Sequence, residues 1–248
     1  MILDETQIPW VSVEPGSVLV GSDDRSILFG GIGPRHEVKI DYSFRISERP
    51  LDFEEVVSIE QNSDMEIVSD SEWQLAYSRG LLSGIDGSSE SLADSARDYW
   101  GKPCDGRPFV NDVNSPSLIR IWKSGRANTL TVFSKRNTGK PVADGVRMVV
   151  RGHSGWSENP LSIPNGRNST KVIIEEILIC TIIGILPSFV WAFFNASPSY
   201  IREGWLNLVL GGVFFSMFTM LFWRPRQPTW RIESDRMTPS RRNRRSDR

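Results

Sequence analysis

Few side chains in this sequence are suited to chemistry. Its 248 residues include two cysteines, Cys104 and Cys180, and two histidines, His36 and His153. Disulfide frameworks and structural metal sites need more thiols or imidazoles, at short recurring spacings. Cys104 falls in a loop-like stretch and Cys180 in an apolar run, so both read as free thiols in a reducing compartment. No metal site is expected. Charge is distributed unevenly along the chain. From Arg224 to the C-terminus, nine Arg face Glu233, Asp235 and Asp247, a net charge of +6. The formal total of -1 therefore combines an acidic body with a basic tail. Arg224, Arg226, Arg231, Arg241, Arg242, Arg244 and Arg245 are the candidates for membrane-surface electrostatics, at about 1 kcal/mol per basic residue close to anionic headgroups. Nucleic acid is not expected as a partner, because a single basic tail without aromatic interleaving is a thin footprint.

The elements that hold these residues divide in two. Ile177–Phe194 and Trp205–Trp223 are runs of 18 and 19 residues without a charge. A helix needs roughly 20 such residues to cross the hydrocarbon core of a bilayer. Helices over about 174–194 and 205–223 are therefore expected, forming a transmembrane hairpin within 172–223. Trp191, Trp205 and Trp223 stand near the ends, where indole rings favour the headgroup region. Pro187 should kink the first helix, and Gly184 with Gly211–Gly212 should let the two approach closely. The spans carry no ionisable residue at mid-membrane, so anchoring fits them better than transport. The N-terminus lacks a basic region and apolar core of the signal-peptide kind. With the Arg-rich flank after the second span, the positive-inside rule puts both termini in the cytoplasm and the chain in the cell membrane. Residues 152–171, rich in Gly, Ser, Asn and Pro, read as a linker, and 224–248 as a disordered basic tail.

The body, residues 1–151, reads as α+β. Val11–Val20 is β-rich and is broken at Glu14-Pro-Gly. A loop rich in Gly and Asp follows, through Gly33. His36–Ile46 alternates with period two, as a half-buried strand does. Leu51–Glu60 has helical spacing with early acids, which suit a helix N-terminus. Ser69 and Glu72 have the spacing of a capping box, and Gly80 is the stop. Ser83–Pro116 shows little periodicity. Ser117–Phe133 and Asp144–Val150 read as strands.

Five short matches then occur in order. They are Glu14-Pro-Gly-Ser-Val-Leu-Val-Gly-Ser22; Pro34-Arg-His-Glu-Val38 leading to Phe44-Arg-Ile46; Ser69-Asp-Ser-Glu-Trp-Gln-Leu-Ala-Tyr-Ser-Arg-Gly80; Asp98-Tyr-Trp-Gly101 with Asn111 downstream; and Gly145-Val-Arg-Met148. In these the body resembles the formylglycine-generating enzyme, or sulfatase-modifying factor, domain. The resemblance implies an irregular fold related to C-type lectins. It also implies, by analogy alone, copper or calcium as a cofactor. The departures argue against the family's chemistry. Its copper-dependent members use a cysteine pair after a Gly-Gly-Ser-Trp-like strand. Here that strand reads Arg120-Ile-Trp-Lys-Ser-Gly125, and residues 105–179 contain no cysteine. Soft Cu(I) wants thiolates. The histidine cluster of the iron-dependent relatives is missing too, and the insert between Pro50 and Ser69 is short.

The expectation is a reduced, non-catalytic member of that family, a membrane-tethered binding or scaffolding module. Its partners would be the bilayer and an unidentified protein or small ligand. If a ligand face survives on the former catalytic strand, Trp122, Arg126, Ser134 and Arg136 would form it, offering an aromatic face, two cations and a hydroxyl. The alternative is an oxidoreductase of the formylglycine-generating type acting on a protein or small-molecule thiol, for which Cys104 would have to act alone.

Overall fold

The valine-rich stretch after Trp10 forms two strands, β1 (Trp10–Val13) and β2 (Gly16–Val20), separated at Glu14-Pro15. Proline has no N–H to offer a ladder, which accounts for the break. The alternating run that follows the Gly-rich loop is also divided. Its halves, β3 (His36–Ile40) and β4 (Phe44–Ser47), enter different sheets. The alternation nevertheless persists across the gap: His36, Val38, Ile40, Tyr42, Phe44 and Ile46 are all buried. A computed structural model supplies these coordinates and describes residues 7–58, 64–112, 114–133, 142–152 and 155–240.

The architecture is α+β. After α1 (Phe53–Val57), β5 (Met65–Ile67) and α2 (Asp70–Ser78) comes β6 (Ser89–Ser95). Strands β7 (Ser117–Lys123) and β8 (Arg126–Val132) form a hairpin, and β9 (Gly145–Val146) and β10 (Met148–Arg151) close the set. One sheet has the order β1-β4-β10-β5, all antiparallel, and another the order β8-β7-β6-β9, with β9 parallel to β6. Trp73, Leu75 and Ala76 of α2 join Val20, Val38, Ile40, Phe44, Ile46, Leu118 and Trp122 in the main core. Strand β6 lies in the stretch expected to be irregular. Its inward positions are Glu90, Leu92 and Asp94, so two of the three core-facing side chains are acids and the hydrophobic period disappears.

Two further expectations are corrected. Part of the expected disordered tail is ordered: β11 (Thr229–Glu233) and β12 (Arg236–Ser240) make a hairpin that completes the third sheet, β12-β11-β3-β2. Ser234 and Asp235 both have positive φ, as a two-residue hairpin turn with the right twist requires. Trp230 N donates to Arg35 O at 2.9 Å, and the Trp230 ring meets Trp100 edge to face at 6.1 Å. The apolar alternation of Trp230 and Ile232 is diluted by arginines, which made the segment look like tail. Residues 241–248 lie outside the described residues. Nor is 152–171 simply a linker. Gly101 N donates to Pro164 O (3.0 Å), Ile163 N to Lys102 O (3.1 Å) and Cys104 N to Leu161 O (2.7 Å), with Ile163 buried.

The chain divides into two compact units. The α+β unit comprises Met1–Asp23, Gly31–Asn165 and Pro228–Arg248. The second comprises Asp24–Gly30 and Gly166–Gln227. It contains one helix long and apolar enough to cross a membrane, Ser169–Asn195, 27 residues. That helix starts earlier than position 174 because Asn168 caps it, its Oδ1 accepting from Lys171 N at 3.1 Å. It runs through α3 (Ser169–Ile179), a π-helical stretch at Cys180–Ile185 and α4 (Leu186–Asn195). Pro187 stands two residues after the π stretch ends, and its missing N–H interrupts the helical ladder there. After the short α5 (Pro198–Glu203), α6 covers Trp205–Thr219. At 15 residues it is shorter than the expected 205–223, the rest being turn.

Candidate functional site

In the α+β unit the polar chemistry is concentrated around α2. The expected capping box forms: Glu72 N donates to Ser69 Oγ (3.2 Å) and Ser69 N to Glu72 Oε2 (2.9 Å). Glu72 also accepts from Tyr42 Oη (2.8 Å) and from Arg151 Nε (2.7 Å). Asp70 accepts from Arg120 Nη2 and from Tyr99 Oη, both at 2.5 Å. Asp94 accepts from Asp70 N (2.7 Å) and Lys102 Nζ (3.0 Å). Glu90 is a hub for three residues: Trp73 Nε1 (2.7 Å), Trp122 Nε1 (2.8 Å) and Arg147 through both Nε (2.8 Å) and Nη2 (3.1 Å) donate to it.

Each of these buried carboxylates therefore has its own buried or nearly buried cation. Pairing of this kind offsets the desolvation of the charges and occupies their lone pairs. Burial alone would raise the Asp70 carboxyl, but the Arg120 and Lys102 charges outweigh it and hold it below the ordinary range. Asp94 is raised by burial despite Lys102. Groups so enclosed set the fold rather than meet a substrate. The sequence reading missed Glu90 and Asp94. Their signal was an acid at every fourth position of a Ser-rich stretch, which looks like loop.

His36 is fully buried, edge-on to Tyr99 at 5.2 Å. Its Nδ1 lies 2.9 Å from Pro34 O. A carbonyl only accepts, so Nδ1 bears the proton and Nε2 is a buried acceptor without a partner among the described residues. Burial first, then the Lys102 charge, pushes the imidazole down to about 3.

Of the expected ligand face, Trp122 and Arg126 fall among the described residues. Trp122 is 3% exposed and packs in a three-ring cluster with Trp73 (5.8 Å) and Tyr77 (5.6 Å). Alternation along β7 explains this, since Leu118, Arg120 and Trp122 share its inward face. Arg126 is exposed at the start of β8, just after the Ser124-Gly125 turn. Ser134 and Arg136 lie outside the described residues. Cys104 is buried and burial pushes its thiol up to about 12, whereas Cys180 belongs to the other unit. An enclosed, protonated thiol is neither a ready ligand nor a nucleophile.

The helical unit presents the opposite picture: apolar outside and polar at one end. Large side chains stand exposed along the long helix, including Ile177, Ile182, Leu186, Val190 and Phe194, and along α6, including Leu206, Leu210, Phe214 and Phe218. The small residues face inward. A Cβ on Gly184 would collide with Gly212 O, and one on Gly212 would lie 2.6 Å from Ile185 Cα. Gly211, expected to share in this contact, has nothing within 4 Å. Ser188 Oγ shares its proton between Ile185 O (2.7 Å) and Leu208 O (2.8 Å), a polar tie between the helices.

Charged groups gather at the end where the long helix starts and α6 finishes. Arg25 Nη1 donates to Glu175 Oε2 and Nη2 to Glu176 Oε1, both at 2.7 Å. Arg224 Nε donates to Glu176 Oε2 (3.0 Å), and Arg167 Nη2 to Glu175 Oε2 (3.2 Å). Arg224 also reaches Ser216 O, Thr219 Oγ1 and Trp223 O. This corrects its expected role. It is a buried pairing residue tying the end of α6 to Glu176, not a cation offered to headgroups. Arg231 is likewise built into β11 of the sheet. Arg226 remains exposed, near Asp24, whose carboxyl is held low first by Ser26 hydrogen bonds and also by that arginine. Arg241, Arg242, Arg244 and Arg245 lie outside the described residues. Arg25 was missed altogether, because it stands 150 positions from Glu175 in an apparently featureless loop.

In comparisons with protein-family models, curated proteins and solved structures, nothing matches this chain.

Proposed function

We propose that this chain is an integral membrane protein whose two apolar helices anchor a non-catalytic binding or scaffolding domain at the cytoplasmic face. The observation that carries the proposal is the inside-out polarity of the helical unit. Its small residues face each other while Phe, Leu, Ile and Trp face outward on both helices. In water such a surface would far exceed the exposed apolar patches that soluble proteins carry, and lipid is the solvent that suits it.

Chain connectivity adds a second argument. The chain leaves the α+β unit after Asn165 and rejoins it at Pro228, where β11 pairs with β3. Any crossing made in between must then be even in number. The uncharged run continues beyond α6 through Trp223, which lengthens the second apolar segment to near a bilayer's span. The arginines at and after 224 favour the cytoplasm for that end.

For the α+β unit, the resemblance to the sulfatase-modifying-factor domain and its C-type-lectin-like fold is retained as part of the proposal. It is supported by convergence of the motif residues: Trp73 of the Glu-Trp pair and Arg147 of Gly-Val-Arg-Met both donate to Glu90. The enclosed Cys104 thiol weighs against the thiol-oxidising activity of that family. Membrane fractionation tests the anchoring. The protein should stay in the membrane pellet through an alkaline carbonate wash and be released by detergent. Release by carbonate would overturn the proposal.

A further inference from the structure

The connection between β2 and β3 contains Arg25-Ser-Ile-Leu-Phe-Gly30, and this segment belongs to the helical unit. Its polar residues are turned inward. Arg25 binds both Glu175 and Glu176, and Ser26 is buried with its N–H and hydroxyl on Asp24 Oδ1 (2.9 and 2.8 Å). Its backbone is fastened to the end of α6: Ile27 N donates to Met220 O (3.1 Å) and Leu28 N to Leu221 O (3.0 Å). Met220 and Leu221 follow directly on α6, where carbonyls have no partner within the helix. The turn is closed by Gly30 N donating to Ser26 O at 2.9 Å, and a Cβ on Gly30 would collide with that same oxygen.

With everything polar engaged, the side chains left outside are Ile27, Leu28 and Phe29, which are 62%, 57% and 67% exposed. Phe29 stands beside Phe222, ring centroids 6.4 Å apart, and Phe222 and Trp223 are exposed as well. The triplet thus continues the outward apolar surface of the helices, at the level of the charge cluster formed by Arg25, Arg224, Glu175 and Glu176.

We propose that Ile27-Leu28-Phe29 is a third membrane contact, an apolar tip inserted into the bilayer at the interface where α6 ends. This rests on the membrane reading of the helices. The occupant is lipid because the tip is continuous with a surface that lipid covers, and because paired charges mark the headgroup level beside it. An interfacial element of this kind lies about 5–10 Å into the headgroup–acyl boundary. The two helices are thereby joined at one interface by a clamp reaching in from the β2–β3 connection.

Depth-dependent quenching tests this. In the full chain with Cys180→Ser, where the remaining Cys104 is buried, cysteines introduced one at a time at Leu28, Phe214 and Arg126 are labelled with an environment-sensitive fluorophore. The protein is reconstituted into phosphatidylcholine–phosphatidylglycerol vesicles containing lipids spin-labelled at a shallow or a deep carbon. The L28C label should be quenched most by the shallow lipid, the F214C label by the deep one and the R126C label by neither. Quenching at F214C without quenching at L28C would overturn the tip while leaving the anchor standing. A blue-shifted but unquenched L28C label would mean that protein covers the tip, and also overturns it. Absence of quenching at F214C would remove the membrane reading and the tip with it.

Discussion

Gly184 and Gly212 are in main-chain contact, so that a side chain on either residue would have to occupy the other's backbone. Two helices meet this closely only where both lack a Cβ, and attraction then comes from backbone packing rather than from apolar burial. The Ser188 hydroxyl beside Leu208 O adds a polar tie.

That contact separates two neighbouring glycines. Gly184→Leu should destabilise the helical unit by about 1–3 kcal/mol, as overpacking of a tight site does. Gly211→Leu meets open space and should be neutral, or slightly stabilising through helix propensity. Unfolding in a detergent titration followed by circular dichroism measures both. Equal losses for the two variants would mean that the seam is not where the small residues place it.

The second prediction concerns Glu90. Its carboxylate receives Trp73, Trp122 and Arg147, all buried. Glu90→Ala strands a buried guanidinium and two indole donors, and should cost about 3–5 kcal/mol. Arg126→Ala, on an exposed strand end, should stay within about 0.5 kcal/mol. Denaturant unfolding of the detergent-solubilised chain, read by tryptophan fluorescence, compares them. A Glu90→Ala variant as stable as Arg126→Ala would contradict the hub.

These two sites differ in how readable they were. The Gly184–Gly212 seam could be inferred from sequence because glycines within a long uncharged run have few other uses. Glu90 could not, since an acid looks solvent-exposed until its partners are known, and Arg147 lies 57 positions away. The same blindness hid β6, whose core face is two-thirds acidic, and Arg25, whose carboxylate partners follow some 150 residues later. The capping box at Ser69 and Glu72 was legible because its physics is local. Trp122 was misread for the reverse reason. A tryptophan beside cations suggests a binding face, but strand alternation turned it inward onto Glu90. The β11–β12 hairpin was hidden by composition, the arginines masking two cross-strand apolar positions.

The third prediction is a pH dependence. Burial holds the His36 imidazole down at about 3 in the folded chain, against an ordinary value of 6.5. Between those pH values the unfolded chain binds one more proton, so stability falls as pH falls, by up to about 1.4 kcal/mol per unit. The contribution is complete above pH 6.5 and is lost progressively below it. Asp70, held low, acts only below the ordinary carboxylate range, and Asp94, raised, acts in the opposite sense in every variant. The difference between wild type and His36→Asn therefore isolates the histidine. Its melting-temperature profile from pH 6.5 to 4.5 should be flatter than that of wild type. Parallel profiles would show that the imidazole is not held neutral by its surroundings.

The account turns on whether the helices cross a bilayer and return. A membrane-impermeant maleimide applied to sealed, oriented vesicles gives the most direct test. In the Cys180→Ser chain, with Cys104 buried, single cysteines replace Ser199 between the helices and Arg126 in the α+β unit. The account predicts labelling of the two positions from opposite sides, with Arg126→Cys reached from the cytoplasmic face. Labelling of both from the same side would contradict it.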